Sequence, residues 1–442
     1  MTTHPTVGSA APGPAGHPVL GMAPAFRRDM LGTLLDGFHR YGDVVTYHFG
    51  PRWGPRAVSQ NVVMAHHPDG IHEVFTTPRV FSRRTTGFQV LTEFIGAGLL
   101  TSDGEVWLRQ RRTLQPLFTP RRVAGYTELM TAEAERVAAD PTVAPGSTVD
   151  LHHLMQRYAL RVVGRALFGD DVDEAIPQLQ RLMPILSDLA LARALQVVRA
   201  PLRWPTPRTR RITRERAAQY GIVDAIIARH ADREPGAERD DMLSRLHTAR
   251  DPETGQPLST EEIRDQVLVF LLAGHETTAG ALTFTLHLLG RYPEIQDRVA
   301  KGDADLVRAA LLEGMRLYPP AYSTERLADV DTTIAGYQVP AGTRVMLSSF
   351  VTHRHPDFWP DPDRFDPDRF TGQHTRPRYA YFPFGGGPRS CIGEHFALLE
   401  ATVLLRTLLA RYRVEALDQR LRLAPMITLR PAEPVRAVLR PR

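Results

Sequence analysis

The sequence predicts a mainly α-helical protein with small β-sheets. Three observations predict it. Helical periodicity dominates the 442 residues, extended patterns are confined to short groups near the two ends, and an apolar stretch after Ser259 is long enough for an unusually long, buried helix. With 43% hydrophobic residues the chain can bury a large core. Length alone allows two or three domains, but the motifs below spread one site along nearly the whole chain. Residues 19–442 are therefore expected to form a single domain behind a flexible, proline-rich arm over residues 1–18. No repeat of solenoid length is visible.

Residues 44–49 and 56–63 flank a Pro51-Arg-Trp-Gly-Pro55 turn and read as paired strands. Trp107-Leu-Arg-Gln-Arg111 sets an aromatic N–H donor and a guanidinium one helical turn apart, an arrangement suited to a carboxylate. Ser259-Thr-Glu-Glu262 is a capping box that starts a helix running to about Gly290. Inside that helix, Ala273-Gly274-His275-Glu276-Thr277-Thr278 interrupts the apolar run with polar atoms that need partners or a purpose. Thr277 can donate back to the Ala273 carbonyl, a bond that bends helices, and the small Ala273 and Gly274 leave room for a diatomic molecule. His275 lies in no metal-ligand spacing and receives no role. Glu313-Gly-Met-Arg316 places an acid and a base three residues apart among leucines and methionine, which implies partial burial. A last extended group over 332–348 turns at Gly336 and at Pro340-Ala-Gly342.

Composition excludes several classes. One cysteine rules out an intrachain disulfide and a four-cysteine iron–sulfur cluster, so redox chemistry here takes its electrons from another protein. The first twenty residues carry Pro5, Pro12, Pro14 and Pro18 without a basic and then apolar leader pattern, so a cytoplasmic location is expected. The apolar run 267–274 stops at His275 and Glu276, short of the roughly 20 residues a span needs, so no membrane segment is expected. The net charge of +5 comes from arginine, with Lys301 the sole lysine. A GC-rich genome explains that skew, the 208–216 arginine run reads as a solvated helical face, and nucleic acid is not an expected partner. Schiff-base chemistry would have to use Lys301.

The sole thiol is the most informative residue. Cys391 lies in Phe384-Gly-Gly-Gly-Pro-Arg-Ser-Cys391-Ile-Gly393, just before a long amphipathic segment. Unpaired N–H groups and the dipole at a helix start favour an anionic sulfur. The glycines let a flat ligand approach the backbone, and Gly393 keeps the first turn equally bare. Thiolate ligation of haem iron favours O–O cleavage, which suits oxidation chemistry. A buried structural cysteine is the plain alternative. Against it stand five fixed positions: Phe384, Gly387, Arg389, Cys391 and Gly393 fit F-x-x-G-x-R-x-C-x-G without a mismatch. In this segment the chain resembles the cytochrome P450 family, and further motifs extend the resemblance over 107–396, with Gly13-Pro14 matching at the start.

The resemblance implies haem b held between a long oxygen-binding helix and the cysteine-ligand loop. Cys391 is then the axial ligand, Phe384 packs beside the sulfur, and Gly387, Gly393 and Ala273 line the cofactor. Arg389, Arg326, Trp107 and Arg111 meet the propionates. Ala273 to Thr277 matches A-G-x-[DE]-T, with Glu276 where many members carry Asp; Glu276 and Thr277 deliver protons to the reduced dioxygen. Glu313 and Arg316, completed by Arg369, lock the loop beneath the haem. The pocket positions are Phe88, Val90, Leu91, Phe94 and Ile95, then Ala273 and Thr277, then Ala321 and Tyr322, and finally Met426 and Ile427.

Those positions are largely apolar, so the implied substrate is an apolar small molecule such as a terpenoid, polyketide or modified peptide, as in actinobacterial natural-product members. Hydroxylation, epoxidation and oxidative coupling all remain open. A separate ferredoxin or flavodoxin with its reductase supplies electrons, meeting arginines such as Arg109 and Arg112, and the enzyme acts as a monomer in no membrane. Two other classes compete. A thiol hydrolase would pair Cys391 with His395 but gives no reason for the glycines, Arg389 or the Trp107–Arg111 pair. A haem-based sensor would need the ligand but not Glu276 and Thr277.

Overall fold

The computed structural model describes residues 8–55, 59–143, 146–169, 174–196, 199–231, 241–372, 375–418 and 420–442. Its longer helices, in chain order, are α1 (Met30–Tyr41), α2 (Pro68–Thr76), α3 (Thr86–Ile95), α4 (Gly104–Leu114), α5 (Thr127–Ala138) and α6 (Leu151–Phe168). They continue with α7 (Ile176–Ala194), α8 (Pro207–Ala231), α9 (Thr260–Arg291), α10 (Pro293–Lys301), α11 (Ala304–Leu317) and α12 (Glu394–Arg411). The strands are short: β1 (Val44–Phe49), β2 (Gln60–Ala65), β3 (Phe81–Ser82), β4 (Thr148–Asp150), β5 (Thr324–Ala328) and β6 (Thr332–Ile334). After these come β7 (Tyr337–Val339), β8 (Arg344–Leu347), β9 (Tyr412–Ala416), β10 (Leu423–Pro425), β11 (Leu429–Pro431) and β12 (Arg436–Pro441). The chain divides into two compact units. The first is Met1–Phe88, Arg316–Phe365 and Gly372–Cys391; the second is Gln89–Met315, Asp366–Thr371 and Ile392–Arg442.

The first unit is built on a sheet of order β1-β2-β8-β5-β3. Side chains alternate across its pleat. Val44, Val63 and Ala65 face one buried cluster with Ile71, Phe75 and Tyr379, whereas Val45, Tyr47, Val62 and Met64 face another with Leu34 and Phe38. Both faces are covered, which is why these strands are apolar at successive positions. The second strand of the hairpin runs to Ala65, beyond the expected 56–63, because the antiparallel register continues to Val44↔Ala65; residues 56–58 lie outside the described residues. The 332–348 group forms the β6–β7 hairpin and β8, turning through Ala335 and Gly336 (φ 47° and 85°) and through Gly342 (φ 82°).

The expected flexible arm needs correction over residues 8–18, since residues 1–7 lie outside the described residues. Thr46 N donates to Pro12 O at 2.8 Å, Gln338 N to Ser9 O at 2.9 Å, and Ala11 is buried in the sheet cluster. The prolines leave carbonyl acceptors free for a neighbouring strand, so the segment is tied down rather than loose.

In the second unit α9 packs along α6, and its capping box is complete: Glu262 N donates to Ser259 Oγ at 3.1 Å and Ser259 N to Glu262 Oε2 at 2.9 Å. By length and composition α9 could cross a membrane, yet 78% of its most apolar window is buried, as in a core helix. The turn after α3 is stitched to α9, where Ala97 N donates to Asp265 at 2.7 Å and Leu99 N to Gln266 at 2.9 Å. Gly96 (φ 76°) is required there, since a Cβ would sit 2.1 Å from the Asp265 carboxyl carbon. Two small sheets, β4-β12-β9 and β10-β11, complete the unit.

Candidate active site

In the first unit, residues 384–391 form a tight turn closed by Cys391 N donating to Phe384 O at 2.9 Å. Cys391 is exposed and unoxidised, three residues before the start of α12. The glycines serve this turn more directly than the sequence suggests. Gly385 and Gly387 adopt φ of 71° and 64°. A Cβ on Gly386 would lie 2.4 Å from the Tyr379 ring and 2.6 Å from the Phe75 ring, and one on Gly387 would lie 2.1 Å from Phe75 O. Three glycines are therefore demanded by packing against α2 and by left-handed backbone, apart from any approach of a ligand.

In the second unit, α9 is buried along most of its length but opens at Ala273, which is exposed, and at Thr277, which is half-buried one turn on. Thr277 Oγ1 donates to Ala273 O at 2.6 Å. Gly274 answers a different need, because a Cβ there would stand 3.0 Å from Val163 on α6. Glu276 is turned away from the Ala273–Thr277 stripe. It is buried and accepts Ser187 Oγ at 2.8 Å and Thr428 Oγ1 at 3.0 Å. Burial pushes its carboxyl above the usual range, and the two hydroxyls pull back only in part. His275 is also buried, with neither ring nitrogen partnered among the described residues. Burial drives its pKa down to about 4.

Beside Glu276, the second unit has a narrow apolar hollow, open in part to solvent. Leu91, Phe94 and Ile95 of α3 line it with Ile427, all four among the pocket positions expected above. Met183, Leu186, Ser187 and Ala190 of α7 form the opposite wall, with Gln219 of α8 and Leu272 of α9. An ion pair between Glu93 and the buried Arg193 ties α3 to α7 and fixes the two walls. The α7 wall was missed in the sequence, although Leu179, Met183, Leu186 and Ala190 repeat at helical spacing and signal one buried face.

The sequence profile described as Cytochrome P450 matches residues 11–436. The chain belongs to the cytochrome P450 family. It is 35% identical to the cyclooctat-9-en-7-ol 5-monooxygenase of Streptomyces melanosporofaciens over 92% of this chain and 90% of that one. It is 32% identical to the pentalenene oxygenase of Streptomyces avermitilis, covering 94% and 93%. Among solved structures, the haem domain of cytochrome P450DA superposes with a TM-score of 0.85 at 28% identity over 99% of both chains. This P450 is thus an oxidoreductase, a haem-dependent monooxygenase whose family cofactor is haem b.

The residues fit that cofactor. One unit offers the single exposed thiol on a closed turn, and the other offers an uncovered small-residue stripe on an otherwise buried helix. The remaining P450 positions fall as follows. Trp107 and Arg111 are half-buried on α4. Arg326 is buried, donating to Thr324 Oγ1 at 3.0 Å and Glu325 O at 2.8 Å, with its guanidinium over the Phe75 ring. Arg389 is half-buried and accepts Arg83 at its carbonyl.

Glu313 and Arg369 are brought together, Nε to Oε1 3.5 Å, and the Asp366 amide donates to the same oxygen at 2.9 Å. Arg316, fully buried, donates to the carbonyls of His353, Pro362 and Arg364, so it pins the 353–364 segment through backbone acceptors. Seven of the eleven expected pocket positions do not line the hollow, among them Ala273 and Thr277 on the stripe described above. Val90 is core, Ala321 is exposed with its carbonyl taken by Ser349, Tyr322 is buried with its hydroxyl 3.9 Å from Met30 sulfur, and Phe88 lies under the Arg83 guanidinium. Met426 is half-buried in the turn before β11.

One expectation fails outright. Arg109 and Arg112 are not free cations for a carrier protein. Arg109 pairs with Glu262, and Arg112 grips Asp251 through two 3.1 Å bonds and Glu253 at 2.6 Å. The sequence showed arginines on a helix but not the acids, 139 and more positions away, that neutralise them.

Proposed function

We propose that this P450 inserts one oxygen atom of dioxygen into a C–H or C=C bond of a terpenoid, by hydroxylation or epoxidation, or couples the substrate oxidatively. The observation that carries the reading is Cys391, the sole thiol, held exposed at the end of a turn in which Gly386 and Gly387 leave no room for a Cβ. The apolar hollow and the terpene-named relatives support the substrate class. Haem would supply dioxygen activation. This chain's residues would supply the rest: Cys391 as the thiolate ligand, Trp107, Arg111, Arg326 and Arg389 toward the propionates, and Glu276 and Thr277 as the groups that handle protons.

Electrons come from a ferredoxin or flavodoxin with its reductase, and the exposed Arg121 and Arg122 are better placed than Arg109 to meet an acidic carrier. The enzyme works as a monomer in the cytoplasm. The interleaving of the two units along the chain, which crosses between them within α3 and α11, supports reading residues 19–442 as one domain. A reduced carbon monoxide spectrum tests the ligand, and Cys391→Ser should abolish the thiolate band while haem still binds weakly or not at all. An unaltered band in that variant would end the proposal. Titration with terpenoids for a spin-state shift tests the substrate class.

A further inference from the structure

Among the side chains that line the hollow, Gln219 alone carries a buried polar atom with no hydrogen-bond partner among the described residues. It is 2% exposed, on α8, and its Oε1 has no partner among the described residues. Its Nε2 faces only the Met183 sulfur, a weak acceptor at 4.0 Å. The other polar lining group, Ser187, already gives its proton to Glu276. Every remaining lining group is apolar. A buried amide oxygen without a donor costs roughly 1–3 kcal/mol, so its retention among leucines calls for a ligand that satisfies it.

We propose that Gln219 accepts a hydrogen bond from a hydroxyl on the substrate, and that this enzyme therefore takes a terpene alcohol in preference to the parent hydrocarbon. The inference rests on the terpenoid reading and deepens it. A hydrocarbon fills the leucine walls but leaves the amide oxygen bare, whereas an alcohol fills them and pairs it. That single contact fixes which end of a smooth, nearly featureless skeleton lies against α8, and so which carbon is presented for oxidation. In a reaction sequence, the enzyme stands after a step that installs a hydroxyl, either an earlier oxidation or a cyclisation quenched by water.

The test uses matched probes, cedrol against cedrene and cyclooctat-9-en-7-ol against its parent hydrocarbon, titrated into haem-loaded protein with the spin-state shift as readout. In Gln219→Leu the alcohols should weaken about 5- to 10-fold, the usual worth of one neutral hydrogen bond. The hydrocarbons should bind unchanged or tighter. Gln219→Met, which keeps length and flexibility, should behave alike and guards against a folding defect in the first variant; the carbon monoxide spectrum reports intact haem in both. Alcohol and hydrocarbon weakening equally, or neither changing, overturns the role of Gln219 while leaving the terpenoid reading in place. If no probe of either kind shifts the spin state of protein with an intact carbon monoxide spectrum, the terpenoid reading falls and the inference with it.

Discussion

Ser187 donates its hydroxyl to Glu276 at 2.8 Å, joining α7 to the centre of α9. Two opposed effects meet on this carboxyl. Burial raises its pKa, and the hydroxyls of Ser187 and Thr428 lower it. Removing one donor in Ser187→Ala must therefore raise the pKa further. The protonated-carboxyl infrared band, assigned by its loss in Glu276→Gln, should persist to correspondingly higher pH. A band that titrates at the wild-type pH would show that Ser187 does not tune this acid.

Thr277 provides the second prediction. Its hydroxyl is held on Ala273 O, on the uncovered stripe of α9. Thr277→Val keeps the shape and loses the hydroxyl, and Thr277→Ser keeps the hydroxyl. Reductant consumption should continue in the valine variant while product per reductant falls by up to ~10² and hydrogen peroxide rises, and serine should restore most of the yield. Equal product yield in valine and wild type would remove Thr277 from the proton path.

The buried histidines predict acid sensitivity. Burial is the first cause in each case and lowers His275, His152 and His287 to about 4. All three are neutral in the folded protein, whereas the unfolded chain takes up protons near pH 6.5. Their contribution to stability is complete above about pH 7 and is lost as pH falls from 6.5 toward 4, by about 1.4 kcal/mol per unit for each histidine. Urea melts at pH 7.5 and 5.0 should differ accordingly, and His275→Leu should make the decline shallower. Equal stability at the two pH values would contradict the burial argument.

The arginines separate stability from carrier docking. Arg112→Gln removes the grip on Asp251, whose carboxyl also organises Glu253, Thr254 and the turn that leads into α9. Its melting temperature should drop, with the salt dependence of reduction by a plant-type ferredoxin unchanged. Converting the exposed Arg121 and Arg122 to glutamate should do the reverse, flattening or inverting the salt dependence. A flattened salt dependence in Arg112→Gln at an unchanged melting temperature would return that residue to the docking face.

Local signals were legible and distant ones were not. The capping box at Ser259, the strand at Val44–Phe49, the turns at Gly336 and Gly342 and the back-bond of Thr277 each depend on residues within a few positions, and all stand in the structure. The partners of Glu276 lie 89 and 152 residues away, and nothing in the local pattern around Ser187 or Thr428 points to a carboxyl. Arg109 and Arg112 misled for the same reason. The N-terminal prolines misled because composition reports what a segment cannot donate, while the structure supplies donors, from Thr46 and Gln338, for what it can accept. Gln219 left no trace in the sequence, since an amide among apolar residues gains meaning only when three helices and a loop close around it.

The two aromatic rings pressed against Gly386 bear on how such enzymes are re-engineered. Saturation libraries around the sulfur-bearing loop are commonly read through colour or turnover, and a substitution at Gly386 would be scored there as a failed catalyst. Here the casualty would be Phe75 and Tyr379, whose rings would stand only 2.6 and 2.4 Å from the new Cβ, so the loss should be visible as poor soluble yield before any chemistry is assayed. Trimming Tyr379 to leucine in the same chain would not restore it, because the Phe75 ring would still stand 2.6 Å from the new Cβ.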